Sequence, residues 1–429
     1  SRLENIIDPS HELVKLAKII DWDGLEEAFY GYYCPDNGRP GGSVRLMAGL
    51  IFLKEAKGLS DEDLCAVWRE NPYFQYFCGE TFFQHRYPVE VPSIGNFRRR
   101  IGEAGMERLL QETVRTGLRS GTVKTCDFER VIVDTTVQEK AVRFPTDTHL
   151  CEKARTELVQ KAHANGVKLR QSYARKSRNA AFWANRYMAA RQMKRGRKMI
   201  KCVRNYLGRV MRDIERASAV APSLESVFAE DLAKARIIYN QTLRSKTSEK
   251  MYSWHAPEVE CIAKGKAHKK YEFGCKASFA STNKSNFIVG AQALHGKPFD
   301  GHTLAGVLDK IAHLTHTKPS EAVVDRGYRG HKLGGGDTEI ILAGRRRGLG
   351  PAARKRLKRR NAIEPIIGHC KNNRNQGARN WLKGELGDKN NAIAMAIGFN
   401  TRKVLRTILL CLLKTLTHIR CDDAKMTQS

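Results

Sequence analysis

One short stretch of the chain holds half of its net charge. Residues 161–216 contain 17 lysines and arginines but only two acids, Asp213 and Glu215, so they contribute +15 of a formal net charge of +30. Apolar residues such as Leu207 and Ile214 recur within the stretch at helical spacing. This pattern predicts long helices with one buried face and one basic face. The mutual repulsion of that basic face is best relieved by a polyanionic partner, with nucleic acid as the leading candidate.

The rest of the composition is that of an ordinary globular protein. With 429 residues, 41% of them hydrophobic, the chain is long enough for two or three domains with their own cores. The longest apolar run, 408–413, is too short to span a bilayer, and the first residues lack the basic flank of a secretory signal. Eleven scattered cysteines without a Cys-x-x-Cys pair predict reduced, structural thiols and no zinc site or disulfide framework. We therefore expect a cytoplasmic protein without membrane contact.

The N-terminal third has the pattern of a helix-turn-helix. Ser43 to Lys54 reads as an apolar helix, and Ser60 has the character of an N-cap that opens a second helix. Ser93 is predicted to cap a further helix, whose Arg98 and Arg99 are candidates for entering a groove of DNA. An ordinary helical subdomain with a basic turn explains the same residues equally well.

Two predicted strands each deliver an aspartate at their end. The run from Arg130 to Thr136 is β-branched and apolar but carries Asp134, and the run from Glu321 to Gly327 repeats the arrangement with Asp325. An aspartate is not needed for the packing of a buried strand. An aspartate directly after a strand, however, often only helps to form a turn. The repetition makes both acids candidates for chemistry.

The elements around these acids follow one order. After the first strand come a large insertion, strands at 271–280 and 286–294, a helix at 302–311, the Asp325 strand, a strand at 338–342 and a helix from about Asn361. This is the order of a ribonuclease-H-like αβα core. On the last helix, Arg360, Glu364 and Lys371 are four and seven residues apart, which places them along one stripe.

Three converging carboxylates need counter-charge. Asp134, Asp325 and Glu364 would repel one another unless hard divalent cations neutralise them, and Mg²⁺ does so while it keeps coordination positions for phosphate oxygens and water. Two such ions about 4 Å apart can support in-line displacement at phosphorus. A second basic run, which starts at Arg345 and Arg346 and ends at Arg360, contains no acidic residue and is predicted to form a loop. This loop would lie along the phosphate backbone of a nucleic acid.

Four short motifs contain these acids or lie between them in the sequence. They are Val-Asp-Thr-Thr at 133–136, Asp-Gly-His-Thr-Leu at 300–304, Val-Asp-Arg-Gly-Tyr-Arg-Gly at 324–330 and Ala-Ile-Glu-Pro-Ile-Ile-Gly-His-Cys-Lys at 362–371. Together they resemble the DDE transposases of bacterial insertion sequences, in particular the insertion-sequence-five group of the insertion-sequence-four-like superfamily. The family signature Tyr-x2-Arg-x3-Glu-x6-Lys is matched by Arg360, Glu364 and Lys371, whereas Leu357 occupies the tyrosine position.

The resemblance implies a cofactor, a reaction and partners. Asp134, Asp325 and Glu364 would be the catalytic acids that bind two Mg²⁺ ions, with Mn²⁺ as a substitute. Arg360 and Lys371 would hold the phosphates beside the cleaved bond. Water would free a 3′-hydroxyl at the element's end, and that hydroxyl would attack target DNA.

The partners would be double-stranded DNA, comprising terminal inverted repeats and target, and a second copy of the chain in a homodimeric synaptic complex. Further cations expected at the DNA are Arg326, Arg98, Arg99, Lys194, Arg195, Arg197, Lys198, Arg345 and Arg346.

The predicted fold is therefore α/β, with three parts. They are a helical N-terminal domain for DNA binding or dimerisation over 1–120, a ribonuclease-H-like catalytic core formed by 121–145 and 260–420, and a basic helical insertion over 146–259 between the first and second core strands. The expected location is the bacterial cytoplasm, in association with the nucleoid. Two alternatives stay open, namely a catalytically silent, domesticated transposase that only binds DNA, and a ribonuclease-H-like nuclease that hydrolyses without joining.

Overall fold

The chain divides into two compact units. The computed structural model describes residues 1–33, 42–243, 249–263, 269–331, 333, 337–344, 350–372 and 378–426. The first unit comprises Ser1–Lys140 and Cys275–Ser429, and the second comprises Ala141–Gly274. Nothing in this division separates residues 1–120 from the sheet, so an independent N-terminal domain stays a prediction.

The first unit begins with helices. These are α1 (Glu12–Ile19), α2 (Trp22–Phe29), α3 (Val44–Lys57), α4 (Asp61–Glu70), α5 (Pro72–Phe77) and α6 (Val91–Arg119). The predicted helix pair is confirmed as α3 and α4: Ser43 and Ser60 cap them by accepting hydrogen bonds from the backbone N–H groups of Leu46 and Asp63. Gly58 ends α3 with a φ of 68°, a left-handed conformation that favours glycine.

The start of the third predicted helix differs from the expectation. Ser93 does not cap it, because α6 begins two residues earlier, with Glu90 at the N-cap position. Pro92 in the first turn allows this earlier start, since a proline there lacks only an N–H that would have no helical partner. The helix is bent at Gly102, which has a φ of 62°.

Arg98 lies inside the first unit, which contradicts its predicted place at a DNA groove. Its guanidinium donates to both carboxylate oxygens of Asp61, at 3.1 and 2.6 Å, and Lys54 donates to the same carboxylate at 2.7 Å. Burial by itself would raise the pKa of Asp61, but the hydrogen bonds and charges of Arg98 and Lys54 outweigh it and lower that pKa. The three groups therefore join α3, α4 and α6 through an ionic cluster.

Replacing Asp61 tests this cluster. We expect Asp61→Ala to lower the free energy of unfolding by about 2 kcal/mol, because Arg98 and Lys54 lose their shared counter-charge in a largely buried place. Urea denaturation at pH 7 measures the change, with Asp63→Ala in the same helix turn as an exposed control. Since the pKa of Asp61 is lowered by folding, the difference between wild type and variant should begin to shrink as the pH falls below about 4 and should vanish only below the lowered pKa of the folded state. An unchanged urea midpoint in Asp61→Ala would contradict this role.

The second unit is a helical body with a short sheet segment. It contains α7 (Asp147–Ala164), α8 (Ala174–Ala189), α9 (Met193–Val220), α10 (Ser223–Gln241) and β2 (Glu260–Ala263). Its core is formed by one face of each helix, with Leu158, Leu207 and Phe228 fully buried. Trp254 is buried in the same core, so it anchors a loop and does not offer a face for stacking on DNA bases.

The sheet and its covering helices complete the first unit. In chain order they are β1 (Arg130–Glu139), β3 (Tyr271–Thr282), β4 (Ile288–Leu294), α11 (Asp300–Thr315), β5 (Glu321–Val324), β6 (Glu339–Leu342), α12 (Pro351–Arg359), α13 (Ile363–Lys371) and α14 (Gly384–Met426). The strand order is β2-β3-β1-β5-β6, with β4 also paired to β3. β2 pairs with residues 271–274, the part of β3 that belongs to the second unit. β3 and β4 are antiparallel, whereas β1, β5 and β6 are parallel. The predicted mixed α/β class is confirmed.

Two local predictions are corrected by these bounds. Asp134 lies in the middle of β1, because the strand continues to Glu139. The second basic run is not all loop, because Pro351–Arg359 forms α12, with Pro351 in its first turn. Arg345 and Arg346 lie outside the described residues. None of the helices in the described ranges has a stretch both long and apolar enough to cross a bilayer.

Candidate active site

The parallel pairing of β1 and β5 sets the position of two acids. Val131 pairs with Ala322 and Ile132 with Val323. The same register, continued by two residues, brings Asp134 level with Asp325. The apolar residues before each aspartate are fully buried and hold the strands in the core. The two similar sequence runs therefore present their carboxylates side by side at one place on the sheet.

A tight turn after β5 orients Asp325. Its Oδ1 accepts a hydrogen bond from the backbone N–H of Gly327 at 2.8 Å, which caps a 3-10 turn. A Cβ at Gly327 would lie 2.9 Å from this carboxylate, so a side chain there would displace Asp325 from its present orientation. Tyr328, the next residue, is fully buried, and burial together with the negative charges of Asp300, Asp134 and Asp325 raises the pKa of its hydroxyl. The phenol therefore stays protonated beneath the acids.

One guanidinium faces all three candidate acids. Arg360 Nη2 lies 3.5 Å from Asp134 Oδ2 and 3.9 Å from Asp325 Oδ2, and its Nη1 lies 3.7 Å from Glu364 Oε1. The three carboxylates therefore share one cation. Three negative charges against one positive charge leave a formal excess of two negative charges in this group.

Packing of α13 on the sheet brings Glu364 to this place. Ile363 is fully buried against Ile132 and Val323, so the residue after it is presented at the edge of the same cluster. The side chain of Glu364 is 64% exposed, compared with 14% for Asp134. Leu357, which replaces the signature tyrosine, packs against the same apolar cluster. That position therefore serves packing in this chain.

A fourth carboxylate, not singled out from the sequence, lies beside the group. Asp300 begins α11, and its Oδ2 would be 3.3 Å from a Cβ placed on Gly327. Its Oδ1 accepts a hydrogen bond from Lys276 Nζ of β3 at 2.9 Å, and this lysine also donates to the carbonyl oxygen of Pro298. The sequence feature that could have identified Asp300 is its position in the first turn of a helix that follows a strand hairpin. Helix capping explains an aspartate at such a position equally well.

The donors at this place suit a hard divalent cation. Asp134, Asp325 and Glu364 offer only carboxylate oxygens, the ligands that Mg²⁺ and Mn²⁺ prefer. The Arg360 contacts of 3.5–3.9 Å are longer than the 2.7–2.9 Å of a close charge-assisted hydrogen bond, so the guanidinium does not occupy the oxygens fully. The donor types therefore suit the ions that the resemblance implies, while the ligand atoms of the three acids do not all lie within 4.8 Å of one another.

Comparison with known proteins identifies the kind of protein that carries this group. Residues 1–100 match the family described as a transposase domain, DUF772. A protein of Rhizobium meliloti, "Uncharacterized protein ORF8 in nfe locus", is 48% identical over 191 residues, which are 44% of this chain and 92% of that relative. The chain belongs to a transposase family. No solved structure matches it.

The lysines and arginines predicted to bind DNA in this transposase-family protein differ in how far they are exposed to solvent. Lys194, Arg195, Arg197 and Lys198 are all exposed in the first two turns of α9, in the second unit. In the first unit, Arg99 and Arg326 are exposed, whereas Lys371 is half-buried at the end of α13, about 10 Å along the helix axis from Glu364. Arg98, as described above, is buried and paired with Asp61.

Removing the shared cation tests the electrostatics of the acids. We expect Arg360→Gln to lower the free energy of unfolding by about 1 kcal/mol in metal-free buffer, because the three carboxylates then repel one another without compensation. Millimolar Mg²⁺ should raise the melting temperature of this variant more than that of the wild type. The exposed Arg329→Gln is the matched control. Equal melting temperatures for Arg360→Gln and wild type, with and without Mg²⁺, would contradict the arrangement.

Proposed function

We propose that the chain is a DDE transposase that cuts the ends of its insertion sequence and joins the freed 3′-hydroxyls to target DNA. The observation that carries this proposal is the convergence of Asp134, Asp325 and Glu364 on Arg360, from a central strand, the end of its parallel neighbour and a helix packed on both. These acids stand in the motifs that resemble the insertion-sequence-five group. Membership of a transposase family supports the same reaction class.

A ribonuclease-H-like core is part of the proposal. β1 lies between β3 and β5, with β5 and β6 parallel to it on one side and the antiparallel β3–β4 hairpin on the other. The first acid is on the central strand, and the second follows the adjacent parallel strand. Topology and acid positions together support this fold assignment.

The residues present have separate tasks in the proposed reaction. Asp134, Asp325 and Glu364 would hold Mg²⁺, which supplies activation of the attacking oxygen and stabilisation of the leaving one. Arg360 is placed to neutralise charge that develops on the phosphate, since it is the cation shared by the three acids. Lys371 would hold a neighbouring phosphate along the same helix. The backbone N–H of Gly327 holds Asp325 in its orientation.

The basic face of the second unit would bind the DNA backbone. Four cations stand at the N-terminus of α9, where the helix dipole disfavours positive charge, and no acid in the first turn relieves them. Next to them on α8, Phe182 and Trp183 are exposed, with Arg186 over both rings, and Arg195 lies over the ring of Tyr187. A polyanion with stackable bases suits this surface better than solvent does. Two DNA ends joined in one event would call for a homodimer.

Replacing one acid tests the chemistry apart from binding. We expect Asp134→Asn to reduce end cleavage and strand joining by about a thousandfold, because the amide loses the charge that holds the metal, while affinity for the DNA end changes little. The assay incubates the protein with Mg²⁺ and labelled element ends, and separates joined, cut and intact DNA.

The exposed Asp337→Asn is the matched control and should keep wild-type activity. Joined products from the wild type support the transposase proposal. Cut products without joining would favour the nuclease alternative, and retained but intact DNA would favour the silent DNA-binding alternative.

Salt dependence tests the α9 surface. We expect replacement of Lys194, Arg195, Arg197 and Lys198 by glutamine to weaken DNA binding and to reduce the slope of log K against log salt by up to about 3.6, since each neutralised phosphate adds about 0.9. Fluorescence anisotropy at several salt concentrations measures the slope. Lys153→Gln, whose lysine is paired with Glu157 in the same unit, is the control. An unchanged slope in the fourfold variant would place the DNA elsewhere.

A further inference from the structure

We infer that the first unit contains a second metal site, for zinc or a similar transition metal, formed by Cys275, His295 and Asp388. This site is distinct from the three proposed catalytic acids and does not depend on the proposed function. Within the described part of the chain, no other group of three such side chains brings its ligand atoms within 4.8 Å of one another. Cys275 lies on β3, His295 directly follows β4, and Asp388 lies near the start of α14.

The separations between the ligand atoms fit a shared ion. Cys275 Sγ lies 3.7 Å from each ring nitrogen of His295, and His295 Nε2 lies 3.7 Å from Asp388 Oδ2. The nitrogen-to-oxygen distance exceeds the 2.7–3.2 Å of a hydrogen bond. A tetrahedral zinc with bonds of about 2.0–2.3 Å holds sulfur, nitrogen and oxygen ligands about 3.3–3.6 Å apart. Coordination would require a rotation of the His295 ring, because Sγ is equally far from its two nitrogens, but no large shortening of the distances.

The residues around Asp388 orient it as a ligand. Its Oδ1 accepts hydrogen bonds from Lys140 Nζ at 2.7 Å and Asn380 Nδ2 at 2.6 Å, so Oδ2 is turned towards His295. The backbone carbonyl of Asp388 accepts a further bond from Gln138. Hydrogen-bonded carboxylates of this kind are typical of protein metal sites, because the outer contacts set the direction of the ligand atom.

Charge and exposure indicate an exchangeable ion. Asp388 is nearly fully buried, while the His295 side chain is 19% exposed and gives access from solvent. Lys140 already neutralises Asp388, and the Cys275 thiol can donate to the backbone carbonyl of Lys276 at 3.3 Å. Folding therefore does not require the ion. Three protein ligands of mixed sulfur, nitrogen and oxygen type select zinc over Mg²⁺ and leave a fourth position for water.

Metal loading of the 429-residue chain, after removal of any affinity tag, tests the inference directly. After incubation with zinc and dialysis, we expect close to one equivalent of zinc per chain, and with Co²⁺ in its place a thiolate-to-cobalt absorption band. Cys275→Ser should lose the band, and His295→Ala should lower zinc occupancy at least tenfold. Asn380→Ala should weaken zinc affinity about 10- to 100-fold, since it removes a contact that orients Asp388.

Two controls separate this site from the others. Asp134→Asn should keep the zinc and the cobalt band, even if the transposase proposal fails. Cys370→Ser, at a buried thiol outside the group whose pKa is raised to about 12 by burial, should keep both as well. Less than a tenth of an equivalent of zinc on the wild type, without a cobalt band, would overturn the inference. So would loss of the ion in Asp134→Asn with retention in His295→Ala.

Discussion

The parallel, in-register pairing of β1 with β5 is the constraint on which the candidate active site depends. It brings Asp134 level with Asp325, and the Ile132, Val323 and Ile363 cluster places Glu364 over the same part of the sheet. The cost of gathering three carboxylates is lowered by Arg360, which faces all of them. Because one guanidinium faces three carboxylates, the group keeps a net negative charge. An apolar core thus supports a polar site that it could not stabilise by burial alone.

Charge is distributed unevenly between the two units. The second unit collects basic residues on α8 and α9, while part of the charge in the first unit is neutralised in buried pairs such as Arg98–Asp61 and Lys140–Asp388. These two kinds of cation look alike in the sequence. The buried ones join secondary-structure elements, whereas those at the start of α9 face solvent against the helix dipole. A surface arranged in this way is stabilised by an anionic partner.

The end of β1 illustrates how one network can connect distant segments. Gln138 follows Asp134 on the same strand and Lys140 comes directly after that strand, and both bond to Asp388 near the start of α14. Asn380 adds a bond to the same carboxylate and one from its backbone N–H to the carbonyl oxygen of Glu139. The strand that carries a proposed catalytic acid is thereby tied at its far end to the long C-terminal helix and to the Cys275–His295 pair. The strand that carries Asp134 thus also supports Asp388, a proposed ligand of the second site.

The sequence alone determined those structural features that depend on interactions between residues close together in the chain. Ser43 and Ser60 marked the starts of α3 and α4, because capping is an interaction within a few residues. The Asp134 and Asp325 runs and the helix with Glu364 were likewise recognisable from their residues. Only the tertiary structure decided which arginine is buried, that Asp300 joins the acids, and that Cys275, His295 and Asp388 meet. Those outcomes depend on contacts between residues 20 to more than 100 positions apart, and strand register and helix packing bring such residues together with no trace in local spacing.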